Sequence, residues 1–310
     1  MSNPSAPLFD RNPLGQTRAE WLSHLGQIGA QHGFFERLGP DHLALFVQEG
    51  DVLVVSFDKA GRVFAQADDG MPLGFAAVKR RQWSLLNIMA LRETGFRDED
   101  LFDFFDGLSQ QGFFDSFEQV IFLGFGALCG HAACSYSAAA PGSHVLATNP
   151  AATLLAERAG FDRRFRHLRG RDFSRYGDAP AALSTAGRAV IVYDPTDAPS
   201  AAHAGQFRGD AITQIPLRFA GPELHQLFNA DATLVPMLRA LLNGRLTRAR
   251  VANQVRPERR RVVSYLWRLA QLAQRDGRFD RAAIVADYAA AATGEQRFSD
   301  LLRQLDPQMA

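Results

Sequence analysis

Cysteine is almost absent. Among 310 residues there are two, Cys129 and Cys134. Their five-residue spacing would put them on different faces of a helix, which argues against a disulfide between them. Neither C-x-x-C nor a ligand set at zinc spacing occurs, so no metal is expected. A surplus of either charge is missing too: 34 Lys and Arg stand against 33 Asp and Glu, a formal net charge of +1. No global field therefore draws the chain to nucleic acid or to an anionic membrane. No apolar run is long enough to span a bilayer, so no membrane insertion is expected. The first residues, MSNPSAPLFDRNPLGQT, lack the basic start and apolar core of a signal peptide. A reducing, cytoplasmic setting is the expectation. Tyrosine is scarce, five against 24 phenylalanines, which points to a large and mostly dry core.

What is present centres on residues 119–150, QVIFLGFGALCGHAACSYSAAAPGSHVLATNP. Val120 to Leu123 form a continuous apolar run, as in a strand buried on both faces. Gly124, Gly126 and Gly130 bracket a sharp turn. A helix of small residues is predicted over 131–140, stopped by Pro141-Gly142, and a strand over 143–148. Strand, crossover helix and strand make a βαβ unit, so the two strands should be parallel.

The rest of the chain alternates in the same manner. Residues 1–18 are predicted to be a flexible tail. Trp21, Leu22, Leu25 and Ile28 recur at helical spacing and open a helical extension over 19–50, with a second short helix at 42–47. DVLVVSF (51–57) is a strand. Asp58-Lys59-Ala60-Gly61-Arg62 reads as a turn, across which 63–65 pairs back. Further strands are predicted at 83–90, 188–193 and 211–217, and helices at 74–81, 96–108, 151–159, 201–207 and 224–242, the last broken near Asp231. This pattern implies an α/β fold with a mainly parallel, doubly wound sheet over 51–243. After Gly244 comes an arginine-rich, linker-like span, then helices at 258–275 and 279–292, forming a C-terminal helical hairpin within 244–310. Leu266, Leu269, Gly277, Phe279, Ala282 and Ala289 resemble the large, small and turn positions of a tetratricopeptide repeat. A protein partner could dock there, on 265–288.

The glycine turn resembles the nucleophile elbow of α/β-hydrolases, G-x-S-x-G, in which the serine sits on a strained strand-to-helix turn. It is closer to the elbow G-x-S-M-G-G-Y-A-A-L. Gly124-Phe125-Gly126-Ala127-Leu128-Cys129-Gly130-His131-Ala132-Ala133 follows that line with one extra residue. The serine is absent; Gly126 or Ala127 takes its place. The chain is also similar to bacterial chains with the elbow G-A-G-P-C-G-Y, sometimes labelled phosphoadenosine phosphosulfate reductase. That activity implies an S-G-G-x-D-type loop after the first strand and a C-terminal C-G-L-H. Here the first strand runs into Ser56-Phe57-Asp58-Lys59, and Cys129-Gly130-His131 lies in mid-chain. A dinucleotide loop fares no better. Gly124-x-Gly126-x-x-x-Gly130 has one residue too many, and Thr148-Asn149-Pro150 stands where an acid is needed. No cofactor is expected.

The hydrolase resemblance implies a triad in the chain order nucleophile, acid, histidine. Asp194 directly follows RAVIVY, in the acid's place, though Asp-Pro is also ordinary strand-end turn chemistry. His225 lies near the histidine's place, inside what reads as a helix start. Loss of the serine costs on the order of 10⁶ in turnover. Cys129 is the candidate substitute, since a helix N-terminus stabilises a thiolate; its other role is apolar packing. Cys129, His225 and Asp194 together would make an acyl or ester hydrolase. Without a nucleophile, the N–H groups of the turn still form an anion site, with Gly126, Ala127, Leu128 and His131 as candidate ligand-binding residues. The leading expectation is a non-catalytic protein that binds a small anionic or glycan ligand at the elbow. The arginines of 158–175 are interleaved with acids and read as solvated helix faces rather than a nucleic-acid surface.

Overall fold

The apolar runs become the middle of one sheet. In the computed structural model, which describes residues 17–66, 70–228 and 231–309, eight strands pair: β1 (Gly33–Leu38), β2 (His42–Val47), β3 (Val52–Lys59), β4 (Ser84–Ala90), β5 (Gln119–Phe125), β6 (His144–Thr148), β7 (Arg188–Tyr193) and β8 (Ile212–Pro216). Their spatial order is β1-β2-β4-β3-β5-β6-β7-β8. β2 is antiparallel to both β1 and β4. The pairings from β4 through β8 are parallel. The helices are α1 (Arg18–His32), α2 (Ala60–Gln66), α3 (Phe75–Arg81), α4 (Glu99–Gln110), α5 (Ala127–Tyr136), α6 (Ala156–Ala159), α7 (Ala179–Ala182), α8 (Ala198–Ala204), α9 (Asp231–Leu242), α10 (Arg248–Val255), α11 (Val263–Arg275), α12 (Phe279–Thr293) and α13 (Gln296–Met309).

Alternation along each strand divides the core into two layers. On β5, Ile121, Leu123 and Phe125 join α1, α3, α9 and the C-terminal helices. Val120 and Phe122 join α4 and α5 on the opposite face. Both faces are covered, which is why β3, β4 and β5 read as unbroken apolar runs. Helix ends follow local chemistry. Thr17 and Glu20 form a reciprocal capping box on α1, and Glu99 and Asp100 sit in the first turn of α4.

The predicted α/β class and the βαβ unit at β5–α5–β6 agree with this architecture. Several local expectations do not, among them the helix over 151–159, of which only Ala156–Ala159 is helical. Residues 42–47 form a strand, not a helix; all six are buried, and so short an apolar run carries no decisive period. Of the stretch 19–50 only α1 is helical, and the sheet begins at Gly33. Residues 63–65 continue helix α2 instead of pairing back. The tail, apart from residues 17 and 18, lies outside the described residues. At the other end, part of the linker-like span is helix α10, whose Val251 and Val255 are fully buried. Gly277, with φ of 71°, turns α11 into α12.

Candidate functional site

Gly126 alone joins β5 to α5. Its φ of 82° and ψ of 178° lie in a region open essentially to glycine. A Cβ added there would meet nothing within 4 Å, whereas at Gly124 it would lie 2.0 Å from the Cys129 carbonyl oxygen. Gly124 is therefore required where the helix folds back over its strand. Gly126 is the point from which a side chain would stand clear. Of the two candidate positions, Gly126 lies between β5 and α5, and Ala127 is already the first residue of the helix. The first helical bond runs from Gly130 N to Gly126 O at 2.8 Å. The N–H groups of Ala127, Leu128 and Cys129 thus have no acceptor among the described residues.

Above this turn opens a cavity of about 1160 Å³. Its wall includes Gly126, Ala127, Leu128, Cys129 and His225, together with Asp58, Lys59, Arg62 and Glu93. Asp58, at the end of β3, is buried. Its Oδ2 accepts from Leu73 N at 2.8 Å and from Asn87 Nδ2 at 2.9 Å. Asn87 Nδ2 also donates to Ser56 Oγ at 2.8 Å, and Ser56 Oγ donates to Leu73 O at 2.6 Å. A carboxylate so fixed can hold a cation in one place. Arg62 Nη2 donates to its Oδ1. Burial opposes the Arg62 charge, but Asp58 outweighs it and holds the Arg62 pKa above its ordinary value. That charge acts on both the Cys129 thiol and the His225 ring. Lys59 pairs with Glu93 at the rim. From the sequence alone 58–62 reads as a plain turn; the signal for more is Asp-x-x-x-Arg directly after a buried strand, a one-turn ion pair once helix α2 forms.

The three proposed triad residues are not joined. Burial pushes the Cys129 thiol up to about 11, and Arg62 offsets this only in part. Its side chain packs with the apolar layer of α5. His225 is pushed down to about 4, first by burial and then by Arg62. Its Nδ1 is buried without a hydrogen-bond partner. Asp194, fully buried at the end of β7, is occupied elsewhere. Its Oδ1 accepts from Thr196 N at 2.8 Å, Thr196 Oγ1 at 2.7 Å and Phe219 N at 3.2 Å. Its Oδ2 accepts from Gly221 N at 2.6 Å, with Arg268 Nε at 3.8 Å. Asn149 completes the knot, accepting from Asp194 N and donating to Gly221 O. The loop after β8 wraps the carboxylate, so no hydrogen bond reaches from it to His225.

His131 departs from its expected role. It is absent from the cavity wall. Its Nδ1 lies 3.0 Å from the carbonyl oxygen of Ala151, inside the packing between α5 and the turn after β6. Burial and then Arg97 push its pKa down to about 3. The arginine run is tied up locally: Arg164 with Asp162, Arg171 with Asp98, and Arg175 with Asp103 and Asp106. On the C-terminal hairpin Tyr265 is buried against the core, while Ile284 and Tyr288 are exposed. Ser264 Oγ donates to Gln226 Oε1 at 2.5 Å, placing α11 beside the cavity loop. Among the described residues no group of three His, Cys, Asp or Glu could hold a metal ion. Nor is any helix there long and apolar enough to cross a membrane.

No family model matches the chain, and no curated protein matches its sequence. Solved structures do. The capsule O-acetyltransferase of Neisseria meningitidis serogroup A is 11% identical over 62% of this chain and 89% of its own, with a TM-score of 0.41. Carboxyl esterase 2 of the mycorrhizal fungus Tuber melanosporum is 13% identical over 70% of this chain and 83% of its own, with a TM-score of 0.43. An alpha-beta serine hydrolase homologue from Coxiella burnetii is 8% identical over 72% and 95%, with a TM-score of 0.37. The chain's own architecture is an α/β fold with a mainly parallel eight-stranded sheet, in which a glycine, Gly126, makes the turn between β5 and α5.

Proposed function

We propose that the protein is a non-catalytic α/β-hydrolase-like binding protein, holding a small anionic ligand or the anionic part of a glycan in the cavity above Gly126. The observation that carries this is the pairing of a glycine elbow with the Asp58-anchored Arg62. The reacting atom is missing, and a fixed cation stands near its place. The open N–H groups at the start of α5 add to the attraction for an anion. The competing reading is acyl or ester hydrolysis by Cys129 with His225 and Asp194. It requires a thiol that ionises near neutral pH and a histidine in contact with an acid, and the geometry favours neither. The sulfonucleotide reductase label finds no support in a cysteine so deeply buried.

Thermal shift of the full chain against acetate, sulfate, phosphate and sugar phosphates tests the proposal. A saturable rise in Tm with at least one anion is expected, weakened by Arg62→Gln. Turnover of p-nitrophenyl esters should stay at the solvent rate. Absence of any anion effect, or ester turnover lost in Cys129→Ala, would overturn it.

A further inference from the structure

The Arg62 cavity has little charge to spare. Among its described lining residues, four cations (Lys59, Arg62, Arg80, Arg92) stand with three carboxylates (Asp58, Glu93, Glu223). The balance is made in pairs: Arg62 with Asp58, Lys59 with Glu93, and Arg92 with Asp41 just behind the wall. A head group carrying two or more negative charges would meet in Lys59, Arg62 and Arg92 cations already neutralised by carboxylates, and would lie close to those carboxylates as well. A single negative charge is another matter. Arg62 gives one Nη2 hydrogen to Asp58; the second Nη2 hydrogen and the neighbouring N–H on that edge of the guanidinium have no described protein acceptor. Two parallel N–H donors are what a carboxylate accepts best. The rest of the wall is unlike a site for a small hydrated ion. Val63, Met71, Phe75, Phe125 and Leu234 are buried apolar side chains that line it. A volume of about 1160 Å³ is far larger than a lone inorganic anion can fill.

Resting on the anion-binding reading above, we infer that the ligand is an amphipathic monocarboxylate, a fatty or aryl acid. Its carboxylate pairs with Arg62 at the elbow and its apolar body lies along Met71, Phe75 and Leu234. Burial of that body supplies the larger share of affinity, at about 0.8 kcal/mol per CH₂. The guanidinium sets the orientation.

Four probes separate the possibilities in titrations of the full chain: decanoate, decanol, inorganic phosphate and pyrophosphate. Decanoate should bind saturably, at least tenfold tighter than decanol and than either phosphate. Arg62→Gln should weaken decanoate at least tenfold and leave decanol unchanged. Arg62→Lys keeps the Asp58 partner and a point charge but loses the fork; it should weaken decanoate several-fold, and it decides the matter if the glutamine variant does not fold. Tighter binding of phosphate or pyrophosphate through Arg62 would overturn the monocarboxylate assignment while leaving the anion-binding proposal standing. Equal binding of decanol and decanoate would also overturn it, because the carboxylate would then go unread. If none of the anions binds, both readings fall.

Discussion

Gly126→Ser restores the one atom that a hydrolase elbow needs, and its outcome separates a missing hydroxyl from a dismantled machine. The space is there: an added Cβ meets no atom within 4 Å. The backbone resists, since a non-glycine residue at φ 82° and ψ 178° costs about 1–3 kcal/mol. At about 2–4 °C per kcal/mol for domains of roughly this size, Tm should fall by several degrees while the fold survives. Chemistry should not return. The new hydroxyl would need a base, and the histidine that lines the same cavity, His225, has an Nδ1 with no partner among the described residues and a pKa of about 4. In a serine-protease triad, loss of the orienting acid alone lowers turnover about 10⁴-fold. Here that acid, Asp194, is saturated by loop donors. The assay is fluorophosphonate labelling read by intact mass, alongside ester hydrolysis. The expected result is a folded and unlabelled variant. Fast, stoichiometric labelling at position 126 that disappears in a second variant carrying His225→Ala would refute the reasoning, because it would show a base already in position.

Other consequences follow from the same geometry. Cys129 should be inert to iodoacetamide in the native protein at pH 7.5 and react only in denaturant, since a pKa of about 11 leaves on the order of 10⁻³ to 10⁻⁴ of it ionised; rapid native labelling abolished by His225→Ala would revive the hydrolase reading. Asp194→Ala should destabilise the chain by about 3–5 kcal/mol in urea titrations, because it strands several buried donors. A change under 1 kcal/mol would mean the loop does not depend on it. Acid should weaken the fold through His131. Its folded pKa of about 3 lies below the ordinary value of 6.5, so only the unfolded chain takes up the proton. Stability is then complete above pH 6.5 and falls by about 1.4 kcal/mol per pH unit as pH drops towards 3. His42, His144, His203 and His225 act in the same direction. His131→Gln should flatten the slope between pH 6.5 and 4.5, and an unchanged slope would contradict this. Removing residues 263–309 should lower stability sharply, because Leu266, Ala270, Ala286 and Phe298 belong to the apolar layer that also holds Ile121 and Leu123; an unaltered urea midpoint would show that the layer is separable.

The frame was legible where chemistry is local. Four apolar residues followed by spaced glycines admit little but a buried strand and a tight turn, so β5–α5–β6 could be drawn from the sequence. β2 could not, because a six-residue apolar run suits a helix or a strand equally. Asp194 directly follows β7 and His225 lies in the segment after β8. What each bonds to was out of reach. The Asp194 knot draws on Asn149, Phe219 and Gly221, brought together only by the parallel packing of β6, β7 and β8. Arg62 escaped notice for a related reason. Its spacing from Asp58 carries meaning only if helix continues from the strand end, and Gly61 within that stretch argued for a turn.

The fate of Asp194 bears on what the cavity is organised around. A carboxylate poised to orient a histidine needs one oxygen available on the cavity side. This one binds a loop backbone through both oxygens and has an arginine from α11 at 3.8 Å. Its contribution is therefore to stability, and it ties the C-terminal helices to the loop that carries His225. Asp58 shows the opposite arrangement. Leu73 and Asn87 fix one of its oxygens, and the other holds the guanidinium of Arg62, which lines the cavity. Of the two buried carboxylates at the strand ends, the one in the hydrolase acid's place serves the scaffold. The one outside any triad aims charge into the cavity. On the proposed reading, a site whose fixed charge centres on Arg62 while its turn bears no side chain holds an anion rather than attacking an ester.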